Sequence, residues 1–328
     1  MNYSKKTLIA GAVLSLATTF AGVAHANPDN YPEKPVTLLV GYPAGQSVDM
    51  LARLIGEGLS KQLGQPVIVD NRPGAGGTIA TTALVQAKPD GYTLSMGASG
   101  PLAIAPHLFK SVSYDPRSDF TALMHVASVA QTLVVSAKSD VKTMDDLVKQ
   151  AKANPGTINF GSPGNGSTSH LTQEMFKQRT GTQMMHVPYK GGQAAITDLI
   201  SGQIDVLFEA SPTVTPFVRQ GQLRAIAVST SKPIQALPDT PTIASLGLND
   251  FEAVGWMGMV GPAGMDPKVL AKLQDALAKT MQDPAVQQKL DAMGMIPVGD
   301  RPEQFDQFIK SEYAKWGDVV TQANVKLQ

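Results

Sequence analysis

Short apolar segments that end in Gly/Ser-rich loops and then continue as helical patterns recur along this chain. Four segments share the pattern: VTLLV (36–40), YTLSMG (92–97), TINFGS (157–162) and MMHVPY (184–189). After the first loop, Val48, Leu51, Ile55 and Leu59 fall on one face of a helix. Strands that alternate with helices form parallel sheets covered on both faces. The sequence therefore predicts an α/β fold.

The loops that follow these strands are expected to form a ligand site. In open α/β sheets, ligands bind at the carboxyl ends of strands, so the four loops are expected to converge on one cleft. PAGQS (43–47) and KGGQA (190–194) each begin a helix, where unpaired N–H groups and the helix dipole favour anions. Two such loops facing each other would bind a carboxylate. For any single loop, the favoured interpretation is that Gly and Ser merely permit a tight turn, and it is the four loops together that strengthen the prediction of binding.

The last third of the chain is predicted to be helical. Asp266 and Asp283 each precede a proline, which is typical of an N-cap followed by the first helical position. Pro302 begins a final helix that carries Phe305, Phe308, Ile309 and Trp316 on one stripe. We expect this stripe to face the core.

Two lobes are expected without a long linker between them. The segments 125–137 and 223–232 are the candidates for strands that cross between the lobes. The second lobe would then be an insertion in the first. The predicted boundaries are 27–129 for the first part of lobe 1, 130–228 for lobe 2 and 229–328 for the return to lobe 1.

The N-terminus has the layout of a secretory signal peptide. Lys5 and Lys6 precede an apolar stretch (8–23) and the small-x-small motif AHA (24–26). A membrane anchor is the alternative, but Ser15, Thr18 and Thr19 interrupt the stretch, which is short for a span. We expect cleavage after Ala26 and a periplasmic location. Loss of the two lysines changes the formal net charge from +0 to −2.

Composition excludes several classes of function. The chain has 0 Cys, which excludes thiol catalysis, disulfides and cysteine metal sites. Its neutral charge argues against nucleic-acid binding. The histidines beyond the signal peptide (His107, His125, His170 and His186) are scattered, and no calcium-loop pattern is present. We expect no metal and no cofactor, and GAGGTI (74–79) lacks the third glycine of a dinucleotide-binding fingerprint.

An exported serine hydrolase is the enzymatic alternative. Ser99, Ser162 and Ser167 lie on loops of a suitable kind, and His170 is close in sequence to Ser167. However, GASGP and GNGSTSH do not match the G-x-S-x-G nucleophile motif. The loops therefore favour binding over catalysis.

The ordered set of motifs resembles one known family. The motifs are YPEKPVTLLVGYPAGQSVDMLAR, VDNRPGAGGTIA, PDGYTL, FGSPGNGSTSHLTQEMF, HVPYKGGQAAITDLISGQIDVLF, GQLRAIAVST and LPDTPTIASLG. Together they resemble the Bug family, the extracytoplasmic receptors of tripartite tricarboxylate transporters. The resemblance covers essentially the whole mature chain and implies a type II periplasmic-binding-protein fold, with two α/β lobes that close on a ligand. It also implies a small carboxylate ligand (a di- or tricarboxylate, an aromatic acid or an acidic amino acid) and membrane permease subunits as partners.

The resemblance assigns ligand contacts to three loops. The loop after the first strand and the YKGG loop embrace a carboxylate in the family, and the loop from Gly161 to His170 adds polar contacts. Carried over, the first lobe contributes Tyr42, Ala44, Gly45, Gln46, Ser47, Asp49 and Ser99. The second lobe contributes Ser162, Gly166, Ser167, Thr168, His170, Tyr189, Lys190, Gly191, Gly192, Phe208 and Glu209.

Several of these assignments carry a more specific expectation. Ala44, Gly45, Gln46 and Ser47 would hold the carboxylate mainly through their backbone, although the family usually has Gly where this chain has Gln46. Asp49 is expected to structure its helix start, and Lys190 to be solvated. Phe208 and Glu209 would line the pocket wall, with Glu209 facing a donor group. We expect a monomer that binds no nucleic acid, and a sensor that docks on a membrane signalling partner remains open beside transport.

Overall fold

The computed structural model describes residues 28–325, over which ten strands form one mixed sheet. The predicted signal peptide lies outside the described residues. The strands are β1 (Val36–Val40), β2 (Val67–Asn71), β3 (Thr93–Ala98), β4 (Phe120–Ser136), β5 (Asn159–Ser162), β6 (Met185–Pro188), β7 (Val206–Ala210), β8 (Leu223–Val228), β9 (Val254–Pro262) and β10 (Ile296–Pro297). The helices are α1 (Ser47–Leu63), α2 (Thr78–Val85), α3 (Ala105–Leu108), α4 (Met144–Ala153), α5 (Thr168–Thr180), α6 (Gly192–Ser201), α7 (Ser211–Arg219), α8 (Pro267–Gln282), α9 (Pro284–Ala292) and α10 (Pro302–Gln322).

The sheet consists of two parallel groups joined by antiparallel strands. Its order is β2-β1-β3-β9-β4-β7-β5-β6, with β8 and β10 also paired to β4. The first group, β2-β1-β3, and the second, β7-β5-β6, are each parallel. The four strand–loop–helix units thus lie in parallel groups, as expected. The antiparallel β9 and β4 at the centre are a difference from the simple parallel sheet that the alternating pattern predicts.

Strand β4 is shared by both parts of the sheet. Up to Ala130 it pairs with β9, and from Gln131 onward it pairs with β7 and β8. Ser229, just after β8, forms hydrogen bonds to β4 and to the segment before β9. Its Oγ accepts a hydrogen bond from the Gln131 N–H at 3.0 Å and donates one to the Ala253 carbonyl at 2.5 Å. Ser229 therefore joins β4 to the segment before β9 next to the position where β4 changes partners.

Strand directions aim the two groups of loops at each other. β3 is antiparallel to β9 and β9 to β4, so β1, β2 and β3 run in the same direction as β4. β7, β5 and β6 run opposite to β4. The carboxyl ends of the two groups consequently face each other along β4. The end of β3 is level with Ala127 and the end of β7 with Gln131, a separation of four residues or about 13 Å at the base of the cleft.

The C-terminal helices begin as predicted and cover the core. The side chains of Asp266 and Asp283 accept from the N–H groups of the first turn of α8 and α9, respectively. On α10, Phe305, Ile309 and Trp316 are buried. Within residues 28–325, no helix combines the length and the apolar character needed to span a bilayer.

Candidate ligand-binding site

Three loops of the first lobe meet at the carboxyl ends of β1, β2 and β3. The backbones of Gly41 and Gly77 are so close that a Cβ on Gly41 would lie 2.6 Å from the Gly77 Cα. The Tyr42 hydroxyl points at the Gly76 carbonyl from 3.5 Å, and Tyr42 also lies beside Gly100. The Gly-rich segment 74–77 thus serves as a turn that packs under the first loop.

A buried carboxylate holds the first loop in place. Asp49 is 1% exposed, and its oxygens accept from the Gly45 N–H at 2.8 Å, the Asn71 side chain at 2.8 Å and the Arg53 guanidinium at 3.0 Å. Burial alone would raise the pKa of Asp49, but the hydrogen bonds from Arg53, Gly45 and Asn71 outweigh it and hold the pKa below its ordinary value of 3.8. Asn71 also donates to the Tyr42 carbonyl at 3.0 Å. Asp49 is therefore occupied in shaping the loop.

The available N–H groups of this loop lie at the start of α1. The Gly45 N–H is taken by Asp49, and the Gln46 N–H points to the Pro43 carbonyl at 3.3 Å. Gln46 has an ordinary extended backbone (φ −77°, ψ 163°), is exposed and does not cap the helix with its side chain. Since the first N–H groups of a helix have no acceptor within it, those of Ser47 and Val48 are the donors that face the cleft end of α1. The Gly45 and Gln46 N–H groups thus have internal acceptors, and the expected role of the backbone of residues 44–47 in binding a carboxylate stays a prediction.

The loops of the second lobe are joined to each other through their backbones. The Tyr189 N–H donates to the Ser162 carbonyl at 2.9 Å, and the Gly191 N–H donates to the Pro163 carbonyl at 3.0 Å. The Tyr189 hydroxyl donates to Asp198 on α6 at 2.7 Å. These contacts bring the β5–α5 loop and the start of α6 together on one side of the cleft.

Two stacked histidines support the β5–α5 loop from below. The rings of His170 and His186 lie 3.8 Å apart and nearly parallel, with Phe160 stacked on His186. The His170 Nδ1 accepts from the Gly166 N–H at 3.1 Å, and the His186 Nε2 lies 2.7 Å from the Ser162 Oγ. Burial lowers the pKa of His170 to about 3, aided by His186 and Lys177, and lowers that of His186 to about 4. His170 is thus a neutral support for the loop and is not exposed to the cleft; sequence reasoning missed its partner His186.

The Ser162–His186 pair does not have the geometry of a hydrolase. Ser162 is 0% exposed, and its hydroxyl is held by His186 and by both backbone groups of Gly164. A nucleophilic serine must be reachable by a substrate, with its base oriented by a third group. Ser162 instead fixes the turn at Gly164, a role that His186 shares.

A buried carboxyl group lies at the start of α6. Glu209, the penultimate residue of β7, is 6% exposed, and its Oε1 accepts from the Ala210 N–H at 2.8 Å. Its Oε2 has no hydrogen-bond partner among the described residues. A Cβ on Gly192, the first residue of α6, would lie 2.4 Å from this Oε2. Burial raises the pKa of Glu209 to about 7.

The remaining sequence-predicted residues occupy varied positions. Phe208 is fully buried with its ring edge-on to Phe176, so the structure does not bring it to the cleft surface. Ser167 caps α5 by accepting from the His170 N–H. Thr168 and Gly166 are partly exposed, Ser99 is buried, and Ala44 and Lys190 are exposed. Within residues 28–325, no cluster of three or more histidine or carboxylate side chains fits a metal ion.

A cavity near the crossing strands is separate from these loops. It has a volume of about 760 Å³ and lies around His125, Ser128, Lys232, Glu252 and Asp300. None of the sequence-predicted site residues lines it. Its charged side chains are of both signs, so it has no clear preference for an anion.

The starts of α1 and α6 have no side-chain cap, a feature that they share with α2, α3 and α7. Thr143, Asp266 and Asp283 cap α4, α8 and α9 with their side chains. In the described chain no side chain caps α1 or α6, and the N-cap of α6 is Gly191 with φ 105°. Each uncapped end has partial positive charge and unpaired N–H groups. The two ends that face the cleft can therefore accept an anionic group.

Comparisons with known proteins identify the family of the chain. Residues 51–325 match the model of the "Tripartite tricarboxylate transporter family receptor". The chain is 37% identical to Protein BugT of Bordetella pertussis over 319 residues, which covers 97% of this chain and 98% of BugT.

Solved structures with bound ligands are also similar. Rpa4515 of R. palustris with adipate has a TM-score of 0.76 and 32% identity, covering 90% of this chain and 99% of Rpa4515. MatC of Rhodopseudomonas palustris with bound malate has a TM-score of 0.72 and 29% identity, covering 88% of this chain and 100% of MatC. These likenesses confirm the predicted type II periplasmic-binding-protein fold. The chain belongs to the tripartite tricarboxylate transporter receptor family, as the resemblance to Bug proteins predicts.

Proposed function

We propose that this protein is a non-enzymatic periplasmic receptor that captures a small carboxylate between its lobes and delivers it to the permease of a tripartite tricarboxylate transporter. The observation that carries the proposal is the pair of uncapped helix starts, α1 and α6, on loop groups that the strand directions aim at each other. Adipate and malate, the ligands of two relatives, are both dicarboxylates, which supports the same ligand class here.

The proposed contacts come from backbone donors more than from charged side chains. In the first lobe, the N–H groups of Ser47 and Val48 bind one carboxylate from the start of α1. In the second lobe, Gly191 and Gly192 place the start of α6 against the ligand. Helix N-termini bind anions without Arg or Lys, so an overall neutral chain and an exposed Lys190 are compatible with anion binding.

Several predicted contact residues are proposed to position loops instead. Asp49 fixes the first loop, while Ser162 and His170 fix the β5–α5 loop. Ser167 and Thr168, at the start of α5, are left to contact the distal part of the ligand. Loops that are already held by internal hydrogen bonds lose little conformational freedom on binding, which favours affinity.

Capture is proposed to occur by closure of the lobes about the crossing strands. The exchange of β4 partners between Ala130 and Gln131 supports lobe boundaries near 130 and 228, with lobe 1 formed by 27–129 and 229–328. Closure would bury the ligand and complete contacts from both lobes. We further propose export of a monomer after cleavage behind Ala26.

A thermal-shift screen tests the proposal. Dicarboxylates, tricarboxylates, aromatic acids and acidic amino acids are added to the purified mature protein, with sugars and metal cations as controls. A ligand at 100 times its Kd adds about 2.7 kcal/mol to stability, which raises the Tm by several degrees. A shift by a sugar or a cation, with none by any carboxylate, would overturn the proposed function. Turnover of a chromogenic ester would instead support the hydrolase alternative, which the burial of Ser162 disfavours.

A further inference from the structure

Glu209 is a predicted contact whose chemistry conflicts with an anionic ligand. A carboxyl group lies beside Gly192, where the second lobe would receive the ligand's carboxylate. Two carboxylates at one helix start repel each other unless one of them is protonated or they are kept apart. The position of Glu209 therefore affects which protonation states of the ligand and of the protein can bind each other.

The surroundings of Glu209 favour its neutral form. The side chain is 94% buried, and the carboxyl accepts one hydrogen bond, from the Ala210 N–H. On β4 its paired residue is Thr132, whose hydroxyl lies 2.6 Å from the Ser211 Oγ and is thereby engaged. The second oxygen, Oε2, has no partner among the described residues and points at the first residue of α6. A protonated Oε2 would be a buried hydrogen-bond donor beside the Gly192 backbone.

No neighbouring charge compensates a negative Glu209. Strand β4 has no titratable side chain between Val129 and Ser136, and burial is the main cause of the raised pKa of Glu209, with only the Ala210 N–H opposing it. The titratable groups on the packed elements are engaged elsewhere, exposed or neutral: Asp198 with Tyr189, Glu174 with Lys177, Arg179 with the Asn249 carbonyl, Lys190 in solvent, Arg219 near the Ala236 carbonyl, and His170 with His186.

We propose that Glu209 binds the ligand in its protonated form, so that Oε2–H donates a hydrogen bond to the ligand's carboxylate, and that binding takes up a proton wherever Glu209 of the free protein is ionised. This inference rests on the proposed function. It specifies a ligand that presents a fully ionised carboxylate, without a donor group, at the start of α6. A ligand ammonium or hydroxyl at this position would instead hold Glu209 ionised.

The expected pH dependence follows from the pKa of about 7 for Glu209. When only the protonated form binds, affinity is unchanged well below that pKa and falls tenfold per pH unit well above it. Between pH 6.5 and pH 8.5 the Kd of malate or adipate should rise about 25-fold. Burial lowers the pKa of His170 to about 3, of His186 to about 4 and of His125 to about 4, so these rings do not titrate in this range.

Isothermal titration calorimetry with malate and adipate tests the inference on the mature protein. At pH 8, titrations in buffers of different ionisation enthalpy should show uptake of about 0.9 proton per ligand. Glu209→Gln keeps a donor but cannot titrate, so its Kd should stay constant between pH 6.5 and pH 8.5. Glu174→Gln removes another buried carboxylate, paired with Lys177 on α5, and should keep the wild-type pH profile.

The outcomes separate the inference from the proposed function. Carboxylate binding without proton uptake, or with the same pH slope in Glu209→Gln, would overturn the role of Glu209 and leave the receptor function intact. Affinity that rises with pH would show an ionised Glu209 and overturn the inference in the same way. If no carboxylate binds between pH 5.5 and 8.5, the proposed function fails and the inference fails with it.

Discussion

Gly191 allows the backbone of the α6 loop to be tested without adding a steric clash. The residue has φ 105° and ψ 159°, a conformation that is essentially restricted to glycine. A Cβ at this position would have no atom within 4 Å. Gly191→Ala therefore introduces backbone strain and nothing else. The same helix ends at Gly202, which has φ 81° and also has no atom within 4 Å of a Cβ.

The strain sets the expected magnitude. Forcing a residue with a Cβ into such a conformation costs about 1–3 kcal/mol. If the loop relaxes out of its binding conformation, the ligand must restore it, and affinity falls by the same energy, about 5- to 150-fold. Gly202→Ala should lower stability by a similar amount. Its ligand affinity should stay within twofold of wild type because Gly202 lies at the opposite end of α6.

Calorimetric titration and thermal unfolding of both variants provide the measurement. Each 1 kcal/mol should lower the Tm by about 2–4 °C. A Gly191→Ala protein that is destabilised like Gly202→Ala but binds like wild type would show that the start of α6 does not contact the ligand. Equal losses of affinity in both variants would show that the effect comes from general destabilisation of the helix.

Three further predictions concern groups that shape the site. Asp49→Asn should lower the free energy of unfolding, measured in urea, by about 1–3 kcal/mol, because it removes a charged acceptor from a buried network. The lowered pKa of Asp49 means that this contribution is present above pH 3.8 and is lost as the pH falls through the pKa of the folded state. An effect of the substitution that persists in acid would contradict the reasoning. For the ligand-free protein, the raised pKa of Glu209 means that its contribution to the free energy of unfolding is greatest below its ordinary pKa of 4.5 and is lost as the pH rises through about 7. Glu209→Gln should remove this loss of about 3 kcal/mol, and parallel curves of stability against pH for the variant and the wild type would refute the prediction. Ser229→Ala leaves Gln131 N–H and the Ala253 carbonyl without their side-chain partner and should destabilise the protein by about 1–3 kcal/mol, with wild-type stability as the contrary result.

Local patterns were sufficient to predict the repeating units and the helix starts. The spacing of the apolar residues and the positions of the glycines, within about 25 consecutive residues, are enough to predict each strand–loop–helix unit. The Asp-Pro pairs at 266 and 283 specify capped helix starts through contacts two residues apart. Such features depend on neighbours in sequence, so a single sequence contains the information needed to find them.

The supports of the site depend on partners that are distant in sequence. Asp49 meets Asn71 22 positions away, and Ser162 meets His186 24 positions away. The spacing of apolar residues does not indicate which loops will lie side by side. His170 and Ser162 are therefore predicted from the sequence to contact the ligand, whereas in the structure their side chains hydrogen-bond within the second lobe and hold the β5–α5 loop. The same limit applies to Glu209, whose burial against Gly192 depends on the pairing of β7 with β4 and β5.

Gln46 shows why a departure from the family pattern need not disturb an anion site. A residue at the N-cap requires an extended backbone, which Gln adopts at φ −77° without strain, whereas the positive φ of the loop falls on Gly45. A Ser or Asp at position 46 would offer its own oxygen to the first-turn N–H groups of α1 and compete with the ligand. Gln46 is exposed and makes no such cap, so these N–H groups stay available. A residue whose side chain does not cap α1 would meet the requirement at this position; Gln46 does so in this structure, and Gly, which has no side chain, would do so as well.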